Sequence, residues 1–329
     1  MRAKVDRKFI TGLFEMDDGT VVYARALGSK NPNNDVIIAW SYLGRRVSRI
    51  PQAIEELERV RDNILGSPED MTLEKPTANS EGILVGGSHF ERLGQDGVKN
   101  TRCVSLTMSH QHAKNRVGPT AGSKMYNSEL SENEIIRCDT VKISTQLAME
   151  SLRLFAPASL LQTLEDNAEA NNVPRIGVPE NVAYPAVQVN IAPAVSHRDC
   201  YGKGLQGMGE FGQVEGHRDG LDSAGALTCM IANSRVPDDY ESGRFHLLSL
   251  GLYIRLEPTT IMNFCGLNRH GGSPPISPEG ENVTDDAYRL MFVCYPPQSM
   301  ISGAGASIMP LASMPKGVLT LGPEITTHL

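Results

Sequence analysis

From residue 182 onward the chain is a succession of short apolar runs separated by turn residues: AVQVNIAP, ALTCMIA, GRFHLLSL, GLYIRLEP, TIMNFCG and YRLMFVCYP. Runs of this length, bounded by Gly, Pro, Asn and Asp, read as strands, and several in succession are the signature of an antiparallel barrel or jelly roll. That constraint governs the rest of the chain, because the earlier segments can then pack on the outside of one roll. There is no internal repeat and no low-complexity tract. The expectation is one domain over 1–329, with N-terminal strands and supporting helices over 1–180, the roll over 181–300 and a C-terminal tail over 301–329.

The first 180 residues are mixed. KFITGLFEM and VVYARAL flank the turn DDGT and read as a hairpin, and DVIIAW reads as a buried strand. Over residues 49–65, Ile50, Ile54, Leu57, Val60, Ile64 and Leu65 recur at helical spacing, with Pro51 acceptable in the first turn. Strand-like GILVGG and RCVSLTM lead into residues 109–127, a polar loop carrying His110, His112 and three basic side chains, Lys114, Arg116 and Lys124. Its composition suits an active-site lid or a plain surface loop. Ser131 and Glu134 form a capping box before an apolar helical pattern that runs through Val141, Leu147 and Leu152 to Leu154. A second helix starts at Pro157 and ends near NAEANN, residues 167–172. Such helices buttress a sheet, so the predicted fold class is α+β, a jelly-roll core supported by helices.

Composition narrows the function classes. The 40% hydrophobic content suffices for a proper core. No apolar run follows the basic N-terminus and none reaches the length of a membrane span, so the expected location is the cytoplasm, with the nucleus as alternative. Cys103, Cys138, Cys200, Cys229, Cys265 and Cys294 are scattered without a CxxC pair and read as buried free thiols. A net charge of −7 disfavours nucleic acid as partner, since affinity for phosphates comes from basic neutralisation; a local basic patch is the remaining route.

The tripeptide His-Arg-Asp occurs twice, in VSHRDC at 195–200 and in EGHRDG at 215–220. A His and an Asp two apart lie on the same side of an extended chain and can offer an imidazole and a carboxylate to one metal ion. With a second His later in a jelly roll they make the facial triad of a non-haem iron(II) oxygenase, and His270 in LNRHGG is the candidate. After Asp219 only a few small residues precede ALTCMIA, so His217 and Asp219 can open a strand of the roll. After Asp199 come six glycines in sixteen residues, which offer no rigid support. His217, Asp219 and His270 are therefore assigned as catalytic metal ligands, and His197 and Asp199 as part of a loop closing over the site. Arg289 sits inside the apolar strand AYRLMFVCYPP, where a guanidinium needs a partner. A carboxylate-bearing cosubstrate fits, held by two parallel hydrogen bonds, and an internal salt bridge is the alternative.

GHRDGLD, SGRFHLL, FCGLNRHGG and AYRLMFVCYPP together resemble the core of the iron(II)/2-oxoglutarate dioxygenases, and the HxDxxD form at His217, Asp219 and Asp222 is similar to the TET/JBP-like branch and its uncharacterised fungal relatives. The resemblance covers about residues 185–297. It implies a double-stranded β-helix, Fe(II) on His217, Asp219 and His270, and 2-oxoglutarate anchored by Arg289. It also implies oxidative decarboxylation to succinate and carbon dioxide, with dioxygen as co-reactant and a substrate C–H bond oxidised. Asn190 is the candidate to hydrogen-bond the cosubstrate from the neighbouring strand, with a structural role as alternative.

Three functions follow: an oxygenase of a small-molecule substrate, favoured by the acidic balance; a TET/JBP-like oxygenase of a methylated nucleobase; and a non-catalytic roll. Asp222 either orients a ligand or caps a turn. His246, in an alternating strand, reads as a wall residue or an exposed one. His89, His110, His112 and Tyr184 are candidates for substrate contact, and residues 266–280 for a rim loop.

Overall fold

The computed structural model describes residues 13–25, 27–47, 50–65, 90–91, 102–111, 116–119, 132–198, 216–284 and 286–302. In chain order the elements are β1 (Phe14–Glu15), β2 (Val21–Ala24), β3 (Val36–Leu43), the helical turn α1 (Gly44–Val47), α2 (Pro51–Leu65), β4 (Phe90–Glu91), β5 (Arg102–Ser105), β6 (Met108–Gln111), β7 (Arg116–Pro119), α3 (Glu132–Phe155) and α4 (Ala158–Ala170). There follow β8 (Ala186–Pro193), β9 (Thr228–Ala232), β10 (Arg244–Leu247), β11 (Leu252–Arg255), β12 (Thr260–Phe264), β13 (His270–Gly272), β14 (Tyr288–Tyr295) and the helical turn α5 (Gln298–Ile301). All six runs that read as strands after residue 182 are strands. Among the described residues no helix is long and apolar enough to cross a membrane.

The strands form an eight-stranded sheet, β2-β3-β12-β9-β14-β8-β5-β4, a four-stranded sheet, β1-β11-β10-β13, and the separate hairpin β6-β7. Every pairing is antiparallel except β1 with β11. The architecture is thus α+β, with antiparallel sheets as expected.

The large sheet is covered on both faces, and side-chain alternation divides its residues between two cores. Val187, Val189 and Ile191 of β8, Cys229 and Ile231 of β9, and Leu290, Phe292 and Cys294 of β14 join one buried cluster with Leu57, Val60 and Ile64 of α2 and Val141, Leu147 and Leu152 of α3. The opposite parity, Met230, Ala232, Met262, Phe264, Met291 and Val293, meets Phe245, Leu247 and Ile254 of the small sheet. Burial on both faces explains why β9 and β12 read as continuous apolar runs.

The helix layer is keyed to the sheet by a buried polar network. Trp40 Nε1–H donates to Ser151 Oγ at 2.9 Å, the Asn263 amide donates to the same oxygen, and Tyr184 O–H donates to Asn263 Oδ1 at 3.1 Å. One α3 hydroxyl therefore serves β3 and β12 together. Among the described residues Cys138, Cys229, Cys265 and Cys294 form no disulfide, and Cys229 and Cys294 are buried while the other two are half-buried; Cys200 and the Cys103 side chain lie outside the description.

Two local expectations are corrected. The segments around DDGT do not form a hairpin: β1 pairs with β11 of the small sheet and β2 with β3 of the large one. The turn instead splits the chain between sheets, sending Met16 into the core between them. Within residues 109–127, pairing of β6 with β7 makes a hairpin of what reads as an irregular loop. GILVGG lies outside the described residues.

Replacing Ser151 by Ala strands two buried donors at about 1–3 kcal/mol each. Urea denaturation of Ser151→Ala is expected to show a loss of about 2–4 kcal/mol at unchanged m-value, whereas Ser159→Ala, exposed on α4, stays within about 0.5 kcal/mol of the parent. Equal stability of both variants would refute the keying role.

Candidate metal centre

The site begins with a backbone pairing. His217 N–H donates to the His270 carbonyl at 2.7 Å, and His270 N–H donates back to the His217 carbonyl at 2.8 Å. Residues exchanging both hydrogen bonds across an antiparallel pair send their side chains to one face. The two imidazole rings accordingly lie 4.5 Å apart, centroid to centroid. Asp219 joins them because its own N–H is held by the Gly266 carbonyl at 2.9 Å.

Two glycines permit this closeness. Gly216 has φ +78°, and a Cβ there would sit 2.5 Å from the His270 carbonyl oxygen. A Cβ on Gly266 would sit 2.4 Å from Asp222 Oδ2 and 3.2 Å from Asp219 Oδ2. The expectation that His217 and Asp219 open a strand is corrected: β9 begins only at Thr228, and the pair is held by its bonds to residues 266 and 270. His270 opens β13, opposite Leu247 of β10.

His217, Asp219 and His270 each present one donor atom, all within 4.8 Å of one another, so the three can hold one metal ion. His270 Nε2 lies 3.3 Å from Asp219 Oδ2, and His217 Nε2 lies 3.5 Å from Asp219 Oδ1. His270 Nδ1–H donates to the Asn268 carbonyl at 2.7 Å; a carbonyl only accepts, which fixes the tautomer and leaves the Nε2 lone pair for a metal. Burial alone would push the Asp219 carboxyl up, but the two imidazoles beside it hold it well below the usual carboxylate range. Two imidazoles and one carboxylate converging at one point make a donor set that can hold a transition-metal ion.

A pocket of about 60 Å³ opens between the sheets at this point. The metal-ligand group forms one side, with Phe245, Phe264, Gly271 and Gly272; Gln188 and Asn190 of β8, Thr228 and Met230 of β9, and Arg289, Met291 and Val293 of β14 form the other. His270 is nearly enclosed, with 4% of its side chain exposed, whereas His217 and Asp219 are 30% and 37% exposed. Access therefore runs past His217 and Asp219. Phe245 and Phe264 pack on the His270 ring at 5.4 and 5.0 Å and hold its plane. At the far end Arg289 is 3% exposed and donates from Nη1 to the Ser273 carbonyl at 2.8 Å. Asn190 Oδ1 is buried with no hydrogen-bond partner among the described residues, a polar atom turned into the pocket.

The other expected residues divide. His197 is not in the donor cluster, and Asp199 lies outside the described residues, as do His89, His112 and the His110 side chain. Asp222 is buried and accepts from Thr228 Oγ1 at 2.8 Å, while its N–H donates to the Asp219 carbonyl at 2.9 Å. It pins the turn behind the ligand pair, and burial pushes its carboxyl up to about 7. His246 is buried with its ring stacked on Tyr253, on the strand face opposite Phe245. Tyr184, a candidate for substrate contact, is corrected: its hydroxyl is committed to Asn263 in the helix-side core. Residues 266–280 form no open rim loop, because β13 and the buried stretch from Ser273 to Ser277 lie within them. Sequence reasoning missed Gln188, Thr228 and the two phenylalanines. Alternation in AVQVNIAP carried a signal for Gln188, two residues before Asn190 on the same face.

No family model and no curated protein matches the chain. Among solved structures, that of NgTET1 in complex with 5mC DNA is similar to it, with a TM-score of 0.44 and 12% sequence identity, covering 89% of this chain and 80% of that one.

Proposed function

We propose that this protein is an iron(II)/2-oxoglutarate-dependent dioxygenase, its two facing sheets a double-stranded β-helix, oxidising a C–H bond of a small molecule with release of succinate and carbon dioxide. The observation that carries this reading is the convergence of His217, Asp219 and His270 at one side of an inter-sheet pocket whose other wall holds a buried arginine. Iron(II), the keto acid and dioxygen supply the oxidising chemistry when bound, and the chain supplies position and exclusion of water.

Each residue has a separable task. His270, locked by Asn268, and His217, placed by the backbone pairing, present ring nitrogens beside the Asp219 carboxylate. Asp219 contributes a carboxylate that its two imidazole neighbours keep ionised. Arg289 binds the carboxylate of the keto acid remote from the metal, and Asn190 hydrogen-bonds the same molecule along its length. Met230, Met291, Phe245 and Phe264 line the pocket and keep it dry. The small-molecule assignment rests on the net charge of −7, which works against a partner bound through its phosphates.

Anaerobic titration with iron(II) and then 2-oxoglutarate tests the class. A weak visible charge-transfer band of a bidentate keto acid is expected; iron binding without the band would remove the cosubstrate, and no iron binding would remove the class. His217→Ala, Asp219→Ala and His270→Ala should each abolish tight iron binding. Arg289→Leu should raise the 2-oxoglutarate requirement at least about tenfold while iron affinity stays within about twofold. Gly266→Ala, which forces a methyl against Asp219 and Asp222, should weaken iron binding about tenfold or more with an unchanged far-ultraviolet circular dichroism spectrum. DNA binding that falls steeply with salt would redirect the substrate search to nucleobases.

A further inference from the structure

Two buried amides away from the pocket are tied up internally: Asn263 bonds Ser151 and Tyr184, and Asn181 bonds the carbonyls of Ile176 and Tyr184. A third, Asn233, donates to the Leu57 carbonyl on the helix side and leaves its Oδ1 without a partner. The two amides of β8 differ. Asn190 Oδ1 is without a partner, and among the described residues no hydrogen bond engages the Gln188 carboxamide, although both line the pocket. Polar groups that converge on one pocket without an internal partner are positioned to meet a ligand there.

Strand register ranks the side chains along the pocket wall. Ala192 lies opposite Arg289, Asn190 opposite Met291, and Gln188 opposite Val293, which in turn lies opposite Met230. Two residues further along β9 is Thr228, opposite Phe264, and these two touch the Asp222 turn and the His270 ring respectively. Arg289 thus marks the end of the wall remote from the metal ligands, Asn190 the middle, and Gln188 the end beside them. Successive positions on one face are about 6.7 Å apart.

Resting on the function proposed above, we infer that Gln188 is a positioning residue whose carboxamide N–H donates to the keto acid's carboxylate at the metal end. The ligand then meets one donor group at each level of the wall: the guanidinium of Arg289, the amide of Asn190 and the amide of Gln188. An N–H beside the metal-bound carboxylate favours one orientation of the keto acid over its reverse, and it withdraws electron density from the bound group.

The test is anaerobic 2-oxoglutarate titration of the iron(II)-loaded full chain for the wild type, Gln188→Leu and Gln188→Glu, reading the charge-transfer band, with iron affinity measured separately. Gln188→Leu is expected to weaken 2-oxoglutarate about tenfold and to shift the band maximum, with iron affinity within about twofold of wild type. Gln188→Glu, setting carboxylate against carboxylate, is expected to weaken it further still. A merely structural role would lower both affinities together and leave the maximum in place, and that outcome overturns the inference. So does wild-type affinity and band position in both variants, while the band itself keeps the oxygenase reading intact. If the wild type binds iron(II) but gives no band, the cosubstrate reading fails and the role of Gln188 fails with it.

Discussion

Two backbone hydrogen bonds, exchanged between His217 and His270, join positions fifty-three residues apart in the chain. The candidate metal centre depends on them. Neither histidine has a long strand of its own to stand on: the first sits in an isolated bridge, and the second opens a strand of three residues. The pairing is possible only when β12 and β10 have already set residues 266–272 in place, so the donor set exists only after the two sheets have closed. Loop-closure entropy is the cost of this arrangement. Rigidity is the return, because the imidazoles are fixed by the main chain before any metal arrives.

The eight-stranded sheet serves two masters through its alternation. One parity packs on α2 and α3, and the other faces the small sheet and the pocket. The Ser151 network on the helix side and the Arg289 to Ser273 bond on the pocket side are therefore the same device on opposite faces. Each uses a buried donor to lock one layer onto another where apolar packing alone would allow sliding.

Much of this was legible in the sequence, for identifiable reasons. The six strands announced themselves by short apolar runs between turn residues, and α2 by the spacing of Ile54, Leu57, Val60 and Ile64. Local composition favoured the second His-Arg-Asp copy by promising it a strand, whereas the structure holds His217 and Asp219 by backbone bonds to residues 270 and 266 and starts β9 only at Thr228. What stayed hidden depended on pairing between distant segments. DDGT looks like a hairpin turn because sequence reports local chemistry, whereas the partner of β1 lies more than two hundred residues away. Tyr184 looks like a candidate for substrate contact until its bond to Asn263, on the helix-facing side of β12, places it in the helix-side core. Gly216 and Gly266 stand inside the GHRDGLD and FCGLNRHGG stretches, but their importance is steric and appears only when a Cβ is placed on them.

The division of the sheet by parity also bears on how such a protein can change. Gln188, Asn190, Met230, Met291 and Val293 line the cavity, and the residues between them pack against the helices. A new ligand preference can therefore be written at Gln188 and Asn190, which line the cavity and join neither buried cluster, whereas a change at Met230, Met291 or Val293 also touches the packing between the sheets. In this wall, selectivity and helix attachment occupy interleaved positions of one stretch of chain.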